Sequence, residues 1–484
     1  MHRQLSILLI VFLIFISPIN AQEIQNAATI PDLSGTEKLY GLSLIWQEVN
    51  YNFAFFDQVP DLDWNAAYRE YIPKVLETKS TYEYYRLLLR FIALLEDGHT
   101  DVLPPADIRN LIVRPQVQLR NFDNRAYVMN VGSSLEKQIP VGSEIIKVDN
   151  VPTGEYVQEY IIPYIASSTD YILWNRGIAR MLEGLEGSGV TITIRTFDGT
   201  EREVELQRNT TSFDEEWVLP RESGRELLDF KLLDDSIAYV ALNSFADNKI
   251  VELFDSVYAD IKNTNGLIID LRNNGGGSSN IGYAIIDYLT DEKYTTSMWR
   301  TREHRAAFKA WGYWRMKERE NMTAEELLAF EKRYESAREE EREWYDRTIG
   351  SYTGDWWYHG EPGTRKSERT DIFLGDVVIL LGNNTASAAE DFLVAMDMLE
   401  RGTFIGERSF GSTGQPLMVE LPGGGWARIC TKRDTYPDGR EFVGYGIKPH
   451  VKIKPGINDV LENLDVVLEK GIEVLKEMMG DHRI

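Results

Sequence analysis

The chain has 484 residues, with 52 basic and 76 acidic side chains and a formal net charge of −24 at pH 7. Such a surface repels phosphate backbones and argues against nucleic acid as a partner. One cysteine, Cys430, excludes an internal disulfide, so the fold must rest on its hydrophobic core.

In chain order, His2 and Arg3 precede a nearly unbroken apolar run over 5–16, which Ser17, Pro18 and Ala21 follow. The run is short for a bilayer span and fits a signal peptide over 1–21, hence export to the periplasm or the medium. No later stretch reads as a membrane span. The remaining length accommodates two or three domains.

Residues 22–105 carry apolar side chains at helical spacing, with Trp46, Val49 and Phe53 in one run and Tyr85, Leu88, Leu89 and Ile92 in another. Ser80 or Thr81 is the expected N-cap of the last helix. From 106 to 212 short strands are expected, at 113–119, 126–131 and 142–148, with helices near 153–165 and 173–182. A hairpin turning at Asp198-Gly199 closes the region. Residues 225–290 and 371–484 alternate strands with helices, which implies an α/β sheet; 237–242, 266–271 and 376–381 are its clearest strands. Between them, 291–370 is rich in Arg, Glu and Trp, predicts one amphipathic helix over 323–347, and reads as a lid-like insertion.

Three features carry chemistry. His99, one of six histidines, lies in Asp97-Gly98-His99-Thr100 at a helix end, where glycine releases the backbone and the imidazole can project. A structural histidine at the negative end of a helix dipole is the plain alternative. The strand ending Asp270-Leu271-Arg272-Asn273-Asn274 runs into Gly275-Gly276-Gly277, which suits convergent N–H groups at an oxyanion hole or a mere tight turn. It lacks the Gly-Lys-Ser/Thr ending of a phosphate loop. Ser387, between Ala386 and Ala388 at a strand-to-helix junction, is placed either as a nucleophile or as a helix cap with Glu390 as reciprocal partner.

In this order, Asp97-Gly98-His99-Thr100, the Asp270 strand with its glycines, and Ser387-Ala388-Ala389-Glu390 resemble the C-terminal processing (tail-specific) peptidases and the tricorn core proteases. Gly406-Glu407-Arg408-Ser409-Phe410-Gly411 and the run 438–449 extend the likeness, and 142–150 is similar to the strand and turn of a PDZ domain. The chain departs from the tail-specific pattern at Ser412, which stands where those enzymes place a lysine base. The tricorn-like branch instead uses histidine, which agrees with His99. His450 replaces the family's aspartate after proline, and nothing in the sequence explains it.

The resemblance implies an α/β fold: a helical N-terminal region, a PDZ-like β-rich domain and a crotonase-like catalytic domain interrupted by the insertion. It implies a serine peptidase acting on peptides or unfolded proteins without metal or organic cofactor. Ser387 is then the nucleophile and His99 the base, with N–H groups of Gly276 and Ala388 holding the oxyanion and Glu441 orienting the imidazole. Should Glu441 lie too far off, Glu407 or the Ser412 hydroxyl is left for that role. The rival is a non-catalytic protein binding apolar ligands or peptides on the same scaffold.

Overall fold

A computed structural model describes residues 31–209, 216–220, 224–234 and 236–481; the expected leader, 1–21, lies outside them. The helical start comprises α1 (Gly35–Asn52), α2 (Trp64–Glu77) and α3 (Thr81–Ala93). Each opens on a side chain that satisfies a free N–H: Ser34, Asp63 and, as the sequence predicts, Ser80, which accepts from Glu83 N at 3.2 Å. Their apolar faces, including Leu42, Ile45, Leu88 and Phe91, are buried in one core with the central sheet, so this region is no independent unit. β1 (Asp101–Leu103) follows the last helix after a turn of seven residues, 94–100.

The next region forms an antiparallel sheet of β2 (Val117–Phe122), β3 (Arg125–Val131), β4 (Glu144–Val148), β5 (Gly189–Arg195) and β6 (Glu201–Gln207), in that order, with Val151–Pro152 paired onto β4. Helix α4 (Asp170–Arg180) packs beside the edge strand β2. Inward residues alternate, as Val190, Ile192 and Ile194 do, and close a separate core with Val128, Ile145 and Ile178. The strand expected over 113–119 is in fact two. Pro115 can donate no ladder hydrogen bond, so Ile112–Val113 pairs with Gly184–Leu185 before β2 begins.

The central sheet is built from β7 (Leu228–Asp234), β8 (Ile237–Leu242), β9 (Gly266–Asp270), β11 (Asp376–Leu381), β12 (Thr403–Gly406) and β16 (Val451–Lys452). Only the first pair is antiparallel. β9 is buried at every position because both faces are covered. Leu267, Ile269, Val377 and Ile379 face α5 (Lys249–Lys262), α6 (Ser279–Ile286) and α10 (Ala388–Met398). Ile268, Val378 and Leu380 face the last helix, α11 (Val466–Asp481), through Val467 and Leu475.

Between β9 and β11 stand β10 (Met298–Arg302), α7 (Ala306–Glu320), α8 (Ala324–Ser336) and α9 (Glu339–Thr353). The single helix expected over 323–347 is broken at Ala337 and Arg338, both extended. Reversal lets Tyr345 of α9 meet Phe330 and Tyr334 of α8 at 5.3 and 5.7 Å, burying aromatic surface that a continuous helix would expose. A second small sheet joins β1 to β14 (Gly425–Cys430) and β13 (Pro416–Leu421), and β15 (Lys432–Thr435) pairs with β10. Among the described residues no helix is long and apolar enough to cross a membrane.

Candidate active site

Parallel strands end together, and the loops leaving them converge beyond their carboxyl ends, where α/β sheets place their sites. β9 delivers the glycine turn, β11 delivers 382–387, and β12 delivers 407–412. Ser387 caps α10 with φ 55° and ψ −124°, a strained conformation for a residue with a side chain. Its hydroxyl makes no capping hydrogen bond. The strain is held in place by its backbone, since its N–H lies 3.2 Å from Ser412 O and 3.1 Å from Glu390 Oε2.

Glu390 is fully buried, yet well supplied with donors. It accepts from Ser409 Oγ at 2.6 Å, Gly411 N at 2.7 Å and Ser412 N at 3.1 Å as well as from Ser387 N. Burial raises its pKa, and these four bonds pull it back down in favour of the carboxylate. One carboxylate thus ties the serine turn to the loop behind β12.

Gly276 has φ 96°, and a Cβ there would stand 2.6 Å from Ser387 Cβ and 2.7 Å from Ala386 O. Only glycine lets the turn approach the serine so closely. Its N–H, expected in the oxyanion hole, donates to Asn274 Oδ1 at 2.9 Å. The N–H of Ala388 has no hydrogen-bond partner among the described residues and belongs to the first turn of α10, the positive end of the helix dipole.

His99 sits in the turn between α3 and β1. Its Nδ1 is 2.6 Å from Ser412 Oγ. Gly98 must be glycine here, because a Cβ would come within 2.8 Å of the Phe410 ring and 3.1 Å of Ser412 Oγ. Burial pulls the His99 pKa below the usual imidazole value, with the Asp97 carboxylate opposing and the Arg428 guanidinium adding to the depression. The neutral, proton-accepting form therefore persists to lower pH. We expect the acid limb of kcat/KM to lie below pH 6.5, the free imidazole value; a profile that rises only under alkaline conditions contradicts a histidine base.

The structure does not bring Glu441 to His99. Its two oxygens lie 2.6 and 2.7 Å from Arg433 Nη2, and Asp57 holds the other guanidinium nitrogen at 2.7 Å. Arg433 is only 4% exposed, and the two carboxylates supply hydrogen-bond acceptors to both of its terminal nitrogens. Glu441→Gln should leave turnover within about threefold while costing on the order of 1 kcal/mol in a urea titration. A hundredfold loss of turnover would restore the orienting role. Glu407 is not at the imidazole either, since Lys454, Arg120 and Lys452 are the cations that act on it.

Sequence reasoning missed Ser168, which donates to Asp97 Oδ1 at 3.0 Å and accepts from Gly98 N at 2.8 Å, tying the segment before α4 to the histidine turn. No motif marks it, because the contact spans about 70 residues. A cavity of about 470 Å³ opens beside β1, walled by Arg86, Ile92, Val102, Ile165 and Arg176. Among the described residues no cluster of His, Cys, Asp or Glu is grouped to hold a metal ion.

Residues 236–453 match Peptidase family S41. The chain is 22% identical over 389 residues to the carboxyl-terminal-processing protease of a Picosynechococcus species, covering 80% of this chain and 76% of that one. It is 21% identical over 452 residues to the carboxyl-terminal-processing protease of a Synechocystis species, covering 92% and 88%. Mature CPAF, solved with lactacystin, shares the fold at a TM-score of 0.63 and 16% identity, over 92% of this chain and 98% of that one. The protein is a serine-type peptidase, a hydrolase. Over most of its length it is similar to the C-terminal processing peptidases.

Proposed function

We propose that this peptidase cleaves peptide bonds through an acyl-enzyme on Ser387 with His99 as general base, and that it acts after export on peptides or unfolded proteins. The observation that carries the reading is Ser412: its carbonyl takes the Ser387 N–H, and its hydroxyl meets His99 Nδ1. One residue thus joins serine and histidine, leaving Nε2 as the nitrogen that can receive the Ser387 proton. Serine Oγ attacks the scissile carbonyl, and the oxyanion develops against the Ala388 N–H. The imidazolium then protonates the leaving amine, and water releases the acyl group by the same route.

With serine in the family's lysine position, the machinery fits the tricorn-like, histidine-using branch. We read the central sheet with α5, α6 and α10 as crotonase-like, and the β2–β6 sheet with α4 as PDZ-like. Among the described residues no strand pairs with the outer edge of β2 beside α4, which supports the second reading, because an extended peptide can add to such an edge. The helices α7 to α9 fit a substrate-gathering lid, with Trp314 68% exposed. A direct trial is incubation of the purified protein with a disordered and a folded protein of similar size. Hydrolysis of the disordered one, abolished by a serine-directed fluorophosphonate, supports the reading; binding of either without cleavage sinks it.

A further inference from the structure

With Glu441 committed to Arg433, His99 needs another acid. We infer that Asp97, acting through the hydroxyl of Ser412, is the carboxylate that orients and supports His99. This rests on the Ser387–His99 reading and adds two positioning residues to it.

Asp97 is 2% exposed and Ser412 wholly buried. Asp97 Oδ2 accepts from Thr100 Oγ1 at 2.6 Å, and Oδ1 accepts from Ser168 Oγ at 3.0 Å. Both bonds fix the carboxylate; neither touches the imidazole. The remaining donor at Oδ1 is Ser412 Oγ, at 3.5 Å, and the same Oγ stands 2.6 Å from His99 Nδ1. A hydroxyl has one proton to give. Directed at Asp97, it leaves an oxygen lone pair for Nδ1–H, so Nε2 is bare and able to take a proton. Directed at Nδ1, it would force the proton onto Nε2 and disable the base. A buried carboxylate on the far side favours the first arrangement. At 3.5 Å the link to Asp97 is long, as such contacts often are without substrate, and it should shorten when the imidazolium forms.

During attack the Ser387 hydroxyl proton passes to Nε2, and Nδ1 keeps its own. No proton crosses Ser412: its O–H stays with Ser412, and the Asp97 carboxylate lies on the far side of that hydroxyl from the imidazolium. The other charges acting on His99 are Arg428 and Arg176, which disfavour the cation, and Asp101, which favours it. Arg428 and Asp101 largely cancel, being paired at 2.7 and 2.8 Å. Among the described residues Asp97 is thus the acid acting on His99 whose side-chain bonds are to hydroxyls rather than to a cation.

The test combines tautomer and kinetics. In nitrogen NMR of the histidine-labelled wild type, with His99 assigned from a His99→Gln sample, neutral His99 should carry its proton on Nδ1. Asp97→Asn and Ser412→Ala should each lower kcat about a hundredfold or more with KM little changed. Each should also move the acid limb to lower pH, since the imidazolium loses its counter-charge, and Ser412→Thr should restore activity in part by restoring the hydroxyl. An Nε2–H tautomer in the wild type overturns the proposal, as does a wild-type rate and pH limb in either variant. If Asp97→Asn does not fold, the limb of Ser412→Ala decides: no shift refutes the link to Asp97. Failure of the underlying reading looks different, because Ser387 in the wild type would then resist fluorophosphonate whatever tautomer His99 adopts.

Discussion

Ser387→Ala should lower kcat for peptide hydrolysis by about four powers of ten or more, with KM and urea midpoint close to those of the wild type. The size of the effect follows from the role: without Oγ there is no acyl-enzyme, and only the oxyanion donors and binding remain. Stability should hardly change, because the hydroxyl caps nothing. The strained φ of 55° makes the comparison sharper. That conformation is maintained by the Ser412 carbonyl and Glu390, which the substitution leaves untouched, so lost activity cannot be assigned to a collapsed turn. Circular dichroism and a urea titration check the fold, and a purified variant with full activity would remove Ser387 from the chemistry.

Glu390→Ala is the second large effect, and it should damage both stability and rate. Four donors converge on this side chain, from Ser387, Ser409, Gly411 and Ser412. Truncation strands them in a buried pocket, at a cost of about 3–5 kcal/mol, a large share of the 5–15 kcal/mol that holds a typical domain. The surviving folded fraction should turn over at least about a hundredfold more slowly, because the serine turn and the loop carrying Ser412 lose their common anchor. Glu390→Gln keeps the shape but sets an NH2 against donors, so it should rescue little. A urea midpoint and turnover equal to wild type would reduce Glu390 to an ordinary helix-capping residue.

Periodicity made the secondary structure legible where local sequence dominates. The strands expected at 237–242 and 376–381 coincide with Ile237–Leu242 and Asp376–Leu381, and that at 266–271 ends one residue sooner. The hairpin turns at Asp198-Gly199, where Asp198 accepts from Thr196 and Thr200 and Gly199 takes φ 84°. The break inside 323–347 was hidden, because its cause is the packing of Phe330 and Tyr334 on Tyr345 rather than a glycine or proline.

Motifs placed Ser387, His99 and the glycine turn in one neighbourhood, yet the roles of individual polar groups depended on partners far away in sequence. Glu441 read as the orienting acid, but Arg433 binds both of its oxygens and holds Asp57, 376 residues distant, with its other nitrogen. Gly276 was legible as a close-approach glycine, but nothing local showed that Asn274 would claim its N–H. The Ser412–His99 contact joins residues 313 apart. Ser412 was visible as a departure from the lysine pattern and, through its hydroxyl, as an alternative partner for the imidazole; its hydrogen bond to His99 gives that departure a physical use.

The most direct trial of the account is to treat the folded protein with a fluorophosphonate and map the adduct by peptide mass spectrometry. A single adduct on Ser387, formed more slowly as pH falls and His99 is protonated, is the result the account predicts. No adduct, or one on another serine while Ser387 stays unmodified, would contradict it.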